Sequence, residues 1–116
     1  MKLPYESELL RVFIGEEDKI GGRPLYELIV EEARKREMAG ATVIKGVMGF
    51  GAKSRIHTAK ILRLSEDLPV IVEIVDKPEK INAFVEEWLD SHIEEGMITL
   101  EKARVIAYRY ENKGKA

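Results

Sequence analysis

Residues 68–96 read LPVIVEIVDKPEKINAFVEEWLDSHIEEG, and this stretch decides the fold. Val70 to Val75 is a run of apolar, largely β-branched residues interrupted only by Glu73. Such a run, apolar on nearly both faces, belongs in the middle of a sheet. Asp76-Lys77-Pro78-Glu79 then opens a helix, with Asp76 as N-cap, Pro78 in the first turn and Glu79 closing a capping box. Ile81, Phe84, Val85, Trp88, Leu89 and Ile93 follow at helical spacing and form one apolar stripe. Trp88 on that stripe is expected in the core. Gly96 stops the helix. Downstream, Ile98 to Leu100 predicts a short extended piece and Ala103 to Tyr110 the last main strand. The charged tail from Glu111 to Ala116 is expected to fray.

Upstream, the pattern repeats. Leu9 to Ile14 predicts a first strand, closed by Gly15. Glu16 to Arg23 is a polar loop broken at Gly21-Gly22. Pro24 suits a first helical turn, and Leu25, Leu28, Ile29 and Ala33 mark the buried face of the helix after it. That helix is expected to end near Met38-Ala39, with Gly40 as its C-cap. Ala41 to Val47 predicts the second strand. The chain is therefore β-α-β, a connecting segment, then β-α-β.

Two such units with right-handed crossovers give an α+β, ferredoxin-like split βαβ fold (βαββαβ): a four-stranded antiparallel sheet with two helices on one face. All 116 residues fit one domain, with a core over about 8–110. The other sheet face is left open. Whichever alternates of the strands point outward, among Val12, Val43, Val72 and Ile106, would be exposed, and a monomer rarely tolerates such a patch. A homo-oligomer packed through the sheet is the expectation.

Composition narrows the function. There is no cysteine, hence no disulfide and no thiolate chemistry. Residues 1–6 lack the apolar stretch of a signal peptide, and no run approaches a membrane span, so a cytoplasmic location is expected. A net charge of −2 argues against wholesale nucleic-acid binding. Yet Met38 to Ser65 contains no Asp or Glu, while carrying Lys45, Lys53, Arg55, His57, Lys60 and Arg63. A locally basic segment on a mildly acidic chain suits one small anionic ligand. Absent glutamine and abundant Glu and Lys give a thermophile-like bias.

Within the basic region, Gly46-Val47-Met48-Gly49-Phe50-Gly51-Ala52-Lys53-Ser54 resembles a phosphate-binding P-loop only superficially. Ala52 separates the last glycine from Lys53, and no long helix follows. What remains is general: glycines let backbone N–H groups approach an anion, and Lys53 and Arg55 could neutralise it. The alternative is a glycine-rich bend. A likeness to the RNA-recognition motif fails, since it falls on the wrong strand and offers only Phe50. His57 and His92 have no metal-binding spacing, and neither they nor Ser54 and Ser65 show a catalytic partner. No catalytic residue, metal or required cofactor is expected.

With these residues read, the chain resembles the DUF190 family of small PII-like proteins. The segments that carry the likeness are Ile14-Gly15-Glu16, Pro24-Leu25-Tyr26-Glu27, Ala39-Gly40-Ala41-Thr42-Val43, Gly46 to Gly51, Arg55-Ile56-His57-Thr58, and Leu64-Ser65-Glu66-Asp67-Leu68-Pro69 running into Glu73-Ile74-Val75-Asp76. The resemblance implies a homotrimer with adenine nucleotide, ADP or ATP, held as a regulatory ligand in clefts between subunits. Transferred by position, the cleft segments are Gly46 to Gly51, Gly96 to Thr99, and Arg104 to Arg109. The implied ligand-binding residues are Gly46, Met48, Gly49, Phe50, Gly51, Lys53, Arg55, His57, Gly96, Thr99 and Arg104. The expected output is a conformational change in residues 52–65 that alters binding to a partner protein, such as a membrane transporter. The chain lacks the long channel-inserting loop of PII proteins and its modified tyrosine, so nitrogen control does not transfer. Two other classes remain open: a small ferredoxin-like enzyme using His57, and a structural trimerisation module.

Overall fold

In the computed structural model, residues 3–51 and 67–110 are described. Lys53, Arg55 and His57 therefore lie outside the described residues. Strand β1 (Glu6–Gly15) pairs antiparallel with β5 (Pro69–Asp76) and with β6 (Met97–Arg104), and β4 (Thr42–Lys45) pairs with β5. The sheet order is β4-β5-β1-β6. β5 is central, as its apolar composition requires. Helices α1 (Leu25–Lys35) and α2 (Pro78–Phe84) pack on one face. This is the expected split βαβ architecture.

The core forms from alternate strand residues. Leu10, Val12 and Ile14 of β1 and Val70, Val72 and Ile74 of β5 are buried against Leu25, Ile29 and Ala33 of α1 and Ile81, Phe84 and Leu89 beyond β5. Val43 joins them, so Val12, Val43 and Val72 all point inward. The opposite face carries the other set: Leu9, Arg11, Phe13, Ile71, Glu73 and Val75 on the two central strands. Two-residue periodicity marks both sets equally, and only helix packing selects between them.

Several elements differ from the sequence expectation. The polar loop before α1 contains a tiny hairpin, β2 (Lys19–Ile20) with β3 (Arg23–Pro24). Gly21 and Gly22 form its turn with φ of 60° and 81°, the mirror-image geometry that two-residue hairpins favour. Helix α1 ends earlier than expected, and Glu37 at φ 57° takes the left-handed position assigned to Gly40. Met38 N–H donates to Ala33 O at 3.1 Å and Glu37 N–H to Arg34 O at 2.9 Å, which together make a Schellman ending.

Asp76 does not cap α2. It is the last residue of β5 and fully buried, with Oδ1 accepting from Lys77 N–H at 2.7 Å and Oδ2 from Ala39 N–H at 2.9 Å. The capping box is absent because this carboxylate is already engaged by two backbone donors. After α2 the helix continues as a π-helical turn, Val85–Leu89, and a last turn α3, Asp90–His92. Trp88 is only half-buried, stacked between Phe84 at 5.8 Å and His92 at 3.9 Å. Finally, the last strand is Met97–Arg104, and not the Ala103–Tyr110 expected. Glu101 and Lys102 are tolerated mid-strand because β6 is an edge strand with one side open to water. Residues 105–110 leave the sheet, and Tyr108 donates its hydroxyl proton to Ala39 O at 2.8 Å. Among the described residues, no helix is long and apolar enough to cross a membrane.

Candidate functional site

The glycine segment 46–51 leaves β4 at the end of the sheet where β5 begins. Gly46 N–H donates to Pro69 O at 2.7 Å. A Cβ on Gly46 would stand 2.7 Å from Pro69 Cγ, and one on Gly49 would stand 3.0 Å from the same atom. Both glycines are thus packed on the Pro69 ring. A Cβ added at Gly51 would meet no atom of the described residues within 4 Å. The residues between the glycines point away: Val47, Met48 and Phe50 are 87%, 65% and 80% exposed. The segment presents three apolar side chains on a backbone pinned to Pro69.

The neighbouring loop after β1 closes on the same place. Glu16 N–H donates to Leu68 O at 2.8 Å, Glu17 N–H to Asp67 Oδ1 at 2.8 Å, and Gly15 N–H to Asp18 Oδ2 at 2.9 Å. A Cβ at Gly15 would fall 2.4 Å from the Asp67 carboxylate, which would have to turn aside to admit it. Lys45 is ion-paired with Glu16, a hydrogen bond that raises its pKa above the usual lysine value and keeps it charged. Lys45 is thereby neutralised by a partner within the fold. Pro69, Gly15 and Asp67 hold the site together, and residue chemistry alone does not point to them. The one sequence signal was their nearness to the strand ends.

Gly96 lies at the same end of the sheet but on its opposite edge, and Thr99 follows three residues further along β6, level with the start of β4. Gly96 precedes β6 with φ 144°, and a Cβ there would stand 2.5 Å from Phe13 O. Thr99 pairs with Arg11 on the open face. With strands about 4.8 Å apart, the β4 and β6 edges are separated by about 14 Å. Arg104 lies at the far end of β6, about 23 Å from Met97 at about 3.3 Å per residue, with its guanidinium 6.0 Å from the Tyr5 ring. One protomer therefore gathers Gly46, Met48, Gly49, Phe50 and Gly51 on one edge and Gly96 and Thr99 on the other, and places Arg104 with neither group. Among the described residues, no cluster of three or more His, Cys, Asp or Glu could hold a metal ion.

His92 has a local explanation. Its Nδ1 lies 2.6 Å from Trp88 O, and since a carbonyl only accepts, Nδ1 carries the proton.

Comparison with known proteins places this geometry. The model of the family DUF190, described as "Uncharacterized ACR", matches residues 7–105. A UPF0166 protein of Aquifex aeolicus is 41% identical over 101 residues, covering 87% of this chain and 94% of its own length. A UPF0166 protein of Methanocaldococcus jannaschii is 32% identical over 100 residues, covering 86% and 92%. Among solved structures, CPII from Thiomonas intermedia K12 bound to ADP and bicarbonate superposes with a TM-score of 0.59 at 15% identity, covering 87% of this chain and 89% of that one. The same protein, described as a nitrogen regulatory PII-like protein and bound to ADP, AMP and bicarbonate, gives 0.60 at 13% identity over the same shares. At such identity the likeness is one of fold.

Proposed function

The chain belongs to the DUF190 family, and from that premise we propose that it is a cytoplasmic PII-like regulatory protein binding a small anionic ligand, an adenine nucleotide, in clefts between the subunits of a homotrimer. The observation that carries this reading is the split of the candidate residues. The glycine segment and Gly96 share one end of the sheet but stand on opposite edges, with Thr99 further along the β6 edge. One protomer cannot close a cleft from both, whereas the β4 edge of one copy set against the β6 edge of the next can. A ring of identical head-to-tail contacts closes such clefts without leaving an edge over.

In this cleft the glycine segment supplies backbone donors, and Met48 and Phe50 supply apolar surface for a base. Lys53, Arg55 and His57 follow directly in the chain and supply positive charge for phosphates. Thr99 offers a hydroxyl from the neighbouring copy. Support comes from CPII, a fold relative whose structures hold ADP with bicarbonate. The signal is read out by residues 52–65, whose conformation governs the binding of a partner protein.

Calorimetry with ADP, ATP and AMP, with and without bicarbonate, tests the proposal. Saturable binding that weakens as salt rises is expected. Arg55→Ala removes one charge-assisted phosphate contact of roughly 1.5–3 kcal/mol, which weakens affinity by about ten- to a hundred-fold. Gly49→Val is a poorer probe, since it collides with Pro69 and changes stability. A folded wild-type protein that binds no nucleotide at millimolar concentration would end this reading.

A further inference from the structure

The open face of the sheet is striped by chemistry. Nearest the glycine segment, Ile44, Ile71, Phe13 and Met97 form an apolar row across all four strands. The next row is polar: Thr42, Glu73, Arg11 and Thr99. Arg11 Nε donates to Glu73 Oε2 at 2.9 Å, and its Nη1 donates to Glu101 Oε2 at 2.8 Å. The hydrogen bond to Glu73, aided by the charge of Glu101, raises the Arg11 pKa, so the guanidinium stays charged at any working pH.

One cation between two carboxylates leaves negative charge in excess. These two bonds use two of the five N–H donors of a guanidinium. Arg11 is still 33% exposed and Glu101 59% exposed. The same face thus offers both spare donors and a spare carboxylate, and a surface with both is complementary to itself. Such a surface suits a second copy of this chain.

We propose that the Glu73–Arg11–Glu101 cluster is the element by which copies recognise one another, meeting the same cluster across the interface and setting the register of assembly. This rests on the self-association proposed above. The apolar row alone is non-directional and would accept a sliding contact. The charges are not, because a shifted register would bury them against apolar surface or against like charge.

A charge-reversed chain, Arg11→Glu/Glu73→Arg/Glu101→Arg, keeps one charge between two of opposite sign. It is expected to assemble alone with the wild-type subunit number. Unfolded together with the wild type, refolded and analysed by native mass spectrometry, the two chains should sort into separate assemblies. Where Arg11 of one copy faces a carboxylate of the next, a mixed pair would set like charge against like. Statistical mixing of the two would overturn the proposal. Should the reversed chain fail to fold, Arg11→Glu alone decides the matter. With unchanged far-ultraviolet circular dichroism, it is expected to lose the assembled species where the wild type is fully assembled, and retention of wild-type assembly would overturn the proposal. A monomeric wild type would overturn the self-association reading itself, and this inference with it.

Discussion

At the scale of single residues, glycines that look alike in the sequence have different reasons. Gly21 turns a hairpin in open space, whereas Gly96 combines φ 144° with a backbone oxygen 2.5 Å from where its Cβ would be. Gly21→Ala is expected to cost about 1 kcal/mol, the left-handed penalty alone. Gly96→Ala should cost about 2–3 kcal/mol, since steric conflict adds to strain. Urea unfolding of both variants at constant m-value measures the difference. Glu37 presents the opposite case, a non-glycine residue at the left-handed end of a Schellman motif. Glu37→Gly relieves the strain, and Lys80 Nζ still donates to its backbone carbonyl, which lies at 2.6 Å. A stabilisation of a few tenths to about 1 kcal/mol is expected, read as a higher thermal midpoint. The glycine-rich segment is the instructive residue-level case. Its composition suggested anion binding, but Gly46 and Gly49 have a local cause in Pro69 that no spacing rule reveals.

At the scale of elements, the buried Asp76 carboxylate ties the end of β5 to the turn before β4. Asn in its place has only one acceptor oxygen, so its amide group would face either the Ala39 or the Lys77 N–H. Asp76→Asn is expected to destabilise by about 1–3 kcal/mol, measured by denaturant unfolding near neutral pH. A second tie joins the hairpin to α1. Arg23 is bidentate to Glu31 and within 3.5 Å of Glu27. The hydrogen bond from Arg23 lowers the Glu31 pKa below its ordinary value of 4.5. A depressed carboxylate contributes stability that is present above its unfolded pKa and lost as pH falls through the folded one. The stability difference between wild type and Glu31→Gln should therefore be seen at pH near neutrality. It should vanish in acid below the usual carboxylate range of about 4 and shrink with salt because the pair is exposed. Thermal scans across pH would show this, and a difference that grows in acid would contradict it.

At the scale of the whole molecule, the sheet has one face buried under helices and one face open. The open face joins an apolar row to a charged row. Sedimentation equilibrium at micromolar concentration is expected to give about three times the chain mass of 13.2 kDa. A mass equal to the single chain would remove the inter-subunit cleft, while leaving the fold as described. Nucleotide added to the sample should raise the thermal midpoint of the assembled form, because a ligand that binds only the folded assembly stabilises it by mass action.

The kind and order of the main elements were legible in the sequence. The Val70–Val75 run, the stripe from Ile81 to Ile93 and the β-α-β repeat are one-dimensional signals, and local periodicity is enough to carry them. The ferredoxin-like topology followed, because few arrangements satisfy two right-handed crossovers. The contents of each sheet face were undecided, since a period of two is symmetric until a helix covers one side. The last strand was expected over Ala103–Tyr110 but runs through Glu101 and Lys102, because edge-strand status is a property of the sheet, not of the residues. Asp76 read as a cap, and tertiary folding turned it into a buried tie through Ala39, distant in the chain. The glycine segment stood out in the chain as a candidate and Gly96–Thr99 only through the family resemblance, and strand order alone settled their placement on opposite edges of the sheet. Local spacing encodes what a segment becomes. Long-range packing determines which segments meet, because the hydrogen-bond and apolar partners that fix that choice lie tens of residues away.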